Sequence, residues 1–420
     1  MKNRMKNIYS WLKNNFTLFE VVTFLIYLTL IIIISLHHEF SLDENQSFLI
    51  ARDLNISQII AQLKYEGHSF IWYFLLLPIA KLTSSIGVQK IIPIIFSSLS
   101  ALIILKKAPF NKFIKALILF SPGMIYYYSC FSRPYCMIIF LLVSIASLYK
   151  ERHKHPYVYA TLIGILSNTH LVMLPVSCLL TLLYIFDEEN IKNIKKDKEY
   201  RTKFIKSLLI IFVFLSIEII FVIYGYYYCS IVNHYGNNML ISNISNLYYL
   251  FYSTWLSTEQ IYFGTSMSIF CNVTLVIILL LGLIGSLLNP KYGAIITLQF
   301  IFMYLIHSIF WFVIPTRAYL PLYIVMFCLW IAMENNKEKT KRIKISNTLL
   351  TLSLISFIIL TIPNNYKCII QDYNKLFSTG KDCSEYIKKN IPKKSVFIYT
   401  YIDYQQSIVP YLDKNDYKIY

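Results

Sequence analysis

The 420-residue chain lacks any polar stretch as large as a domain, and that absence excludes a soluble enzyme carried on a membrane anchor. No small-residue cleavage site follows the first apolar run, about 18–36, so it reads as a span rather than a removable signal. No CxxC or Cys/His spacing marks a metal site. Four of the eight cysteines, Cys178, Cys229, Cys271 and Cys328, fall in or beside apolar runs as small hydrophobes. Cys368 and Cys383 share the C-terminal tail, where pairing stays open. No internal repeat of the kind common in transporters is present.

What is there in abundance is apolar sequence. Hydrophobic residues make up 56% of the chain and mean hydropathy is +0.54, which places it among all-α polytopic membrane proteins. The formal charge of +17 does not indicate nucleic acid, because the basic residues sit in short loops between apolar runs. Eleven spans are expected, at about 18–36, 88–105, 114–131, 134–149, 156–170, 171–186, 207–227, 267–288, 292–314, 317–333 and 347–363. The run 70–82 is too short to cross. If it is left out and the N-terminus is cytoplasmic, 24 of the 39 Lys and Arg lie inside, six lie in outer loops and nine in the tail. Counting 70–82 as a span would turn every later basic loop outward. The expected organisation is a membrane domain over 1–363, with a first outer loop at 37–87, and a small extracytoplasmic segment over 364–420. "DCSEYIKKNIPKKSVFIYTYI" in that segment reads as a short helix followed by a strand.

The first outer loop carries an unusual density of ionisable groups, in "SLDENQSFLIARDLNISQIIAQLKYEGHSFIWYF". Asp43 with Gln46, and Asn55 with Gln58, have capping-box spacing. Ile56, Ile59, Ile60 and Leu63 fall on one helical face, as in a helix lying on a membrane surface. Taken singly, the residues have structural readings. Asp43 caps a helix and Glu44 sits in its first turn, Glu66 and His68 are loop polars, and Arg133 and Arg317 snorkel at span ends. His170 hydrogen-bonds a helix end, and Tyr135 with Tyr126–Tyr128 belongs to an interfacial belt. Glu218 and His307 read as hydrogen-bonded packing residues within spans, Glu218 near mid-span and far from the outer face.

The topology nevertheless brings Asp43, Glu44, Glu66, His68, Arg133, His170 and Arg317 to one side of the bilayer from five separate segments. Carboxylates beside cations at a hydrocarbon boundary suit transfer from a lipid-linked phosphate donor. The acid takes the proton of an acceptor hydroxyl, and arginine stabilises the leaving phosphate. A flippase of lipid-linked saccharides and an O-antigen-type polymerase are the alternatives. The flippase would put polar groups near the midplane, and the polymerase would put arginines in a large late loop, yet 228–266 has no Lys or Arg.

The stretches "LDENQSFLIARDLNISQIIAQLKYEGHSFIWYFLL", "SPGMIYYYSCFSRPY" and "LSNTH" resemble the GT-C superfamily of integral-membrane glycosyltransferases, which includes protein O-mannosyltransferases and lipid A aminoarabinose transferases. The similarity covers about residues 36–175, and "PTRAYLPL" resembles a turn of the same relatives. It implies an inverting transferase of the bacterial plasma membrane, with a polyprenyl-phosphate sugar donor and a cell-envelope acceptor on the extracytoplasmic side. It also implies Asp43 and Glu44 as catalytic acids, or as ligands if a divalent metal ion takes part. Substrate contacts would fall to Glu66, His68, Arg133, Tyr135, His170 and Arg317. The chain departs from those relatives in having Ser69-Phe70 after the histidine and Gly67-His68 where the aminoarabinose transferases carry a lysine.

Overall fold

The computed structural model describes residues 16–63, 69–83, 85–232, 247–264, 268–309, 313–335, 340–374, 378–397, 406–413 and 416–419. The architecture is that of an all-α polytopic membrane protein. Among the described residues, seven helices are long and apolar enough to cross a bilayer: Leu18–His37, Ile86–Lys107, Lys198–Gly225, Ile269–Leu288, Pro290–Ile309, Pro315–Glu334 and Lys341–Asn374. The pair Leu171–Ile185 and Glu188–Lys196, bent by 49°, makes an eighth if it counts as one span.

The other expected spans form shorter helices, for reasons visible in the sequence. The run 114–131 breaks at Ser121-Pro122-Gly123 into helix Lys112–Leu119 and a π-turn, Gly123–Tyr127. Helix Tyr135–Leu148 has 14 residues, and Pro156–Ser167, entered at a proline, has 12. Such irregular backbone is tolerated at membrane depth only inside protein. Nearly every residue from Ser129 to Ala146 is accordingly buried.

Burial sorts the helices. Pro315–Glu334 is the central one, with Tyr319, Tyr323, Phe327 and Trp330 at 0–1% exposure. Lys198–Val232 is peripheral and turns Leu209, Phe212, Ile220 and Ile223 outward. An exposed apolar surface of this kind needs lipid around it. Helix Ile269–Leu288 packs along Lys341–Asn374, Lys198–Val232 along Pro156–Ser167, and Ile91–Lys107 along Tyr135–Leu148.

Phe70–Leu82 is a 13-residue helix, about 20 Å long against a hydrocarbon core of about 30 Å. It packs on helix Leu42–Asp53, and Lys81 Nζ at its end donates to the carbonyls of Arg52 and Leu54 at 2.8 and 2.9 Å. Helix Ile56–Gln62 starts with the expected box, in which Asn55 N–H donates to Gln58 Oε1 and Gln58 N–H to Asn55 Oδ1, both at 2.9 Å. Of its apolar face, Ile59 and Leu63 are buried while Ile56 and Ile60 stay exposed.

Two further expectations need correction. Glu218 is not far from the loop level. The 35-residue helix Lys198–Val232 carries it about 30 Å from Lys198, to the neighbourhood of Ser69. The last long helix does not stop at Pro363 but runs through it to Asn374. The tail then forms helix Gly380–Asn390 and strand Val396–Phe397, paired in parallel with Lys418–Ile419. It rests on the first loop: Arg52 donates to the Pro410 carbonyl at 3.3 Å, and Ser378 N–H to Glu39 Oε2 at 3.1 Å. Cys368 and Cys383 are both free cysteines.

Candidate functional site

The site is built at the turn that ends the first span. Lys90 Nζ donates to the carbonyls of Ser35 and His38 at 2.6 Å each, satisfying the helix C-terminus and fixing the turn. His38 leaves this turn fully buried and lies between two carboxylates, with Nδ1 2.7 Å from Asp372 Oδ2 and Nε2 3.4 Å from Glu44 Oε2. Tyr126 OH donates to the same Asp372 oxygen at 2.7 Å. Burial opposes the charge on His38, but the Glu44 carboxylate and the Asp372 hydrogen bond outweigh it and raise its pKa to about 9. Burial likewise works against the Glu44 anion. His38 and the N–H groups of Ser132 and Ser41 prevail and hold it below the usual carboxylate range. At neutral pH His38 is therefore an imidazolium that faces the Glu44 anion and hydrogen-bonds Asp372.

The expected Asp43–Gln46 box is absent, because the helix starts two residues earlier. Ser41 is its N-cap and Glu44 its third residue. Glu44 Oε2 accepts from the N–H and hydroxyl of Ser41, both at 2.8 Å, and Oε1 accepts from Ser132 N–H at 2.6 Å. Glu44 is thus fully buried and clamps the first loop to the broken helix, rather than standing solvated in a first turn.

Asp43, one residue before, faces the other way. Its side chain is 54% exposed, with Oδ2 3.3 Å from Arg133. Arg133 also donates to the Asp43 carbonyl at 3.0 Å and to Ser47 Oγ at 3.3 Å, so its guanidinium is fixed before any ligand arrives. Asp43 and Arg133 line a cavity of about 540 Å³ together with Ser41, Tyr126, Tyr127, Phe131, Ile314, Pro315, Thr316, Cys368, Gln371 and Asp372. The buried Oδ1 of Asp372 has no hydrogen-bond partner among the described residues.

Three other expected residues form a layer beside the cavity. Arg317 Nε donates to Tyr135 OH at 3.0 Å, and the Tyr135 ring lies 5.4 Å from the buried His170 ring. His170 Nδ1 accepts from Val172 N–H at 3.2 Å, which makes it the cap of the next turn, as its bland reading has it. Ser69, the N-cap of helix Phe70–Leu82, donates to the Asn168 carbonyl at 2.8 Å, tying the start of that helix to the same layer. Glu66 and His68 lie outside the described residues.

His38, Tyr126, Gln371 and Asp372 are cavity or relay residues that the sequence reading did not select. Asp372 was beyond its reach because a helix expected to end near Pro363 continues for another three turns.

Asp43 and Glu44, the expected ligands if a divalent metal ion takes part, face different spaces. Both Glu44 oxygens already accept N–H or O–H donors, and Asp43 points into a different space. A second cavity of about 540 Å³ is lined almost wholly by apolar groups, with His307 and Gln299 among the few polar ones. It reaches Val313 and Ala318, while the polar cavity reaches Ile314, Pro315 and Thr316, so one short segment separates the two. Compared with protein-family models, curated proteins and solved structures, the chain matches none.

Proposed function

We propose that this chain is an integral-membrane glycosyltransferase of the GT-C kind, crossing the bacterial plasma membrane about eleven times. It moves a sugar from a polyprenyl-phosphate donor to an extracytoplasmic acceptor in the cell envelope. The observation that carries this reading is the shared cavity of the Asp43 carboxylate and the pre-fixed Arg133 guanidinium. The arrangement suits a single displacement. The donor phosphate competes for Arg133 and frees Asp43 from its ion pair. Asp43 then takes the proton of the acceptor hydroxyl as that oxygen attacks the anomeric carbon. The bond from that carbon to the phosphate oxygen breaks with its electron pair, and Arg133 stabilises the charge on the departing polyprenyl phosphate. One displacement inverts the anomeric centre.

The surroundings support the same reading. Tyr126, Tyr127 and Phe131 give the cavity aromatic faces of the sort sugars pack on. The apolar cavity across the 313–318 segment offers room for the start of a lipid chain. Glu44, His38 and Asp372 hold the loop and the broken helix in register, which makes Glu44 a positioning residue. Purified protein supplied with a labelled polyprenyl-phosphate sugar and envelope acceptors tests the reading by transfer of the label.

A further inference from the structure

We propose that His153, Asp187 and Glu189 form a binding site for a borderline divalent cation of the zinc class, separate from the cavity. The 14-residue helix Tyr135–Leu148 carries the chain about 20 Å from Arg133 before reaching it. The argument starts with the imidazole. His153 Nδ1 lies 2.8 Å from Asn190 Oδ1. That amide is oriented, since Asn190 Nδ2 donates to the Tyr184 carbonyl at 2.5 Å and Tyr200 OH donates to Oδ1. Asn190 Oδ1 can only accept, so Nδ1 carries the hydrogen and Nε2 presents its lone pair. A metal-bound histidine is typically oriented in this way, with its other ring N–H given to a fixed acceptor.

Among the described residues Nε2 has no hydrogen-bond partner, its side chain is 10% exposed, and it faces Asp187 Oδ1 and Glu189 Oε2 at 3.4 Å each. Asp187 Oδ1 also caps helix Glu188–Lys196 by accepting from the N–H groups of Glu189 and Asn190 at 3.0 and 3.4 Å, and three electron-rich side-chain atoms lie within 4.8 Å of one another, a grouping that a cation would draw together. Arg152 does not fill that place, because it pairs with the other Asp187 oxygen. A tetrahedral ion fits the two separations from His153 Nε2. Donors about 2.1 Å from it stand roughly 3.4 Å apart. One imidazole nitrogen and two carboxylate oxygens suit Zn²⁺ or Mn²⁺, and the half-exposed Glu189 leaves the fourth position to water. Such an ion ties the turn after helix Tyr135–Leu148 to helix Glu188–Lys196.

The test uses the full chain in detergent after treatment with a chelator, titrated with Zn²⁺ by calorimetry, and with Co²⁺ followed by its visible spectrum. The expected result is one ion per chain and a Zn²⁺-dependent rise in unfolding temperature. His153→Gln and Glu189→Gln each weaken binding at least about tenfold. Glu189 is exposed, so its variant reads the site even if His153→Gln folds poorly. Absence of binding, or binding equally strong in Glu189→Gln, overturns the proposal. So does a cluster whose stability follows pH and ignores Zn²⁺.

Discussion

Arg133 grips Asp43 at two points, its carboxylate at 3.3 Å and its backbone carbonyl at 3.0 Å. The second bond does not depend on the Asp43 side chain, so the guanidinium keeps its place when the carboxylate is released or replaced. A carboxylate that alternates between an ion pair and an acceptor hydroxyl needs that independence.

Replacing Asp43 by Asn should therefore leave the protein folded and Arg133 in position, since the carbonyl and Ser47 contacts remain. A base contributes about a hundred- to ten-thousand-fold in rate, and Asp43→Asn should lose about that much in kcat with little change in unfolding temperature. Near-wild-type turnover in a stable Asp43→Asn protein would pass the role to Asp372.

Arg133→Lys keeps the charge but not the planar fork that reaches Asp43 and its carbonyl together. Donor KM should rise at least about tenfold, roughly 1.4 kcal/mol, with kcat also reduced. Unchanged donor affinity and turnover in this variant would remove Arg133 from the donor site.

Glu44→Gln bears on fold rather than chemistry. The amide cannot offset the buried His38 charge, and removing one partner of a buried ion pair costs about 3–5 kcal/mol. Glu44→Gln should fall far below Asp43→Asn in chemical or thermal unfolding. Equal stability of the two variants would contradict the inward placement of Glu44.

The His38 relay predicts a pH dependence. Its pKa rises from the usual 6.5 to about 9 on folding. The folded state therefore binds more protons in the window between these values. The stabilisation is full below pH 6.5 and is lost as pH climbs through about 9. It amounts to about 3 kcal/mol. His38→Gln should flatten unfolding free energy against pH in that window relative to the natural chain, and parallel curves would refute the raised pKa.

Phe70–Leu82 is expected to start and finish on one side of the bilayer. Reporters fused after Leu82 and after Lys107 should read opposite sides, outside and then inside, because only Ile86–Lys107 crosses between them. Reporters on the same side would contradict that topology.

Much of the class and part of the candidate cavity's lining were legible in the sequence. Long apolar runs mark the seven long helices because hydropathy is a local property. Asp43 and Arg133 stood out because charge at a span end is rare and locally visible. The partner of His38 was not legible. Asp372 lies 334 residues away, on a helix that continues through Pro363 where composition suggests an end. The opposite orientations of Asp43 and Glu44 were also hidden. Both acids suit a first turn, and which of them caps depends on Ser132 arriving from 88 residues later to take Glu44. The breaks in 114–131 were signalled by Pro122, but the hydropathy of the run masked them.

The most direct test of the account is transfer by the purified full chain, given a series of polyprenyl-phosphate sugars labelled in the sugar, with Asp43→Asn run alongside. The account predicts that at least one donor passes its label to an envelope acceptor with release of polyprenyl phosphate, and that Asp43→Asn abolishes this while remaining folded. Label that stays on every donor, or transfer equal in the two proteins, would contradict it.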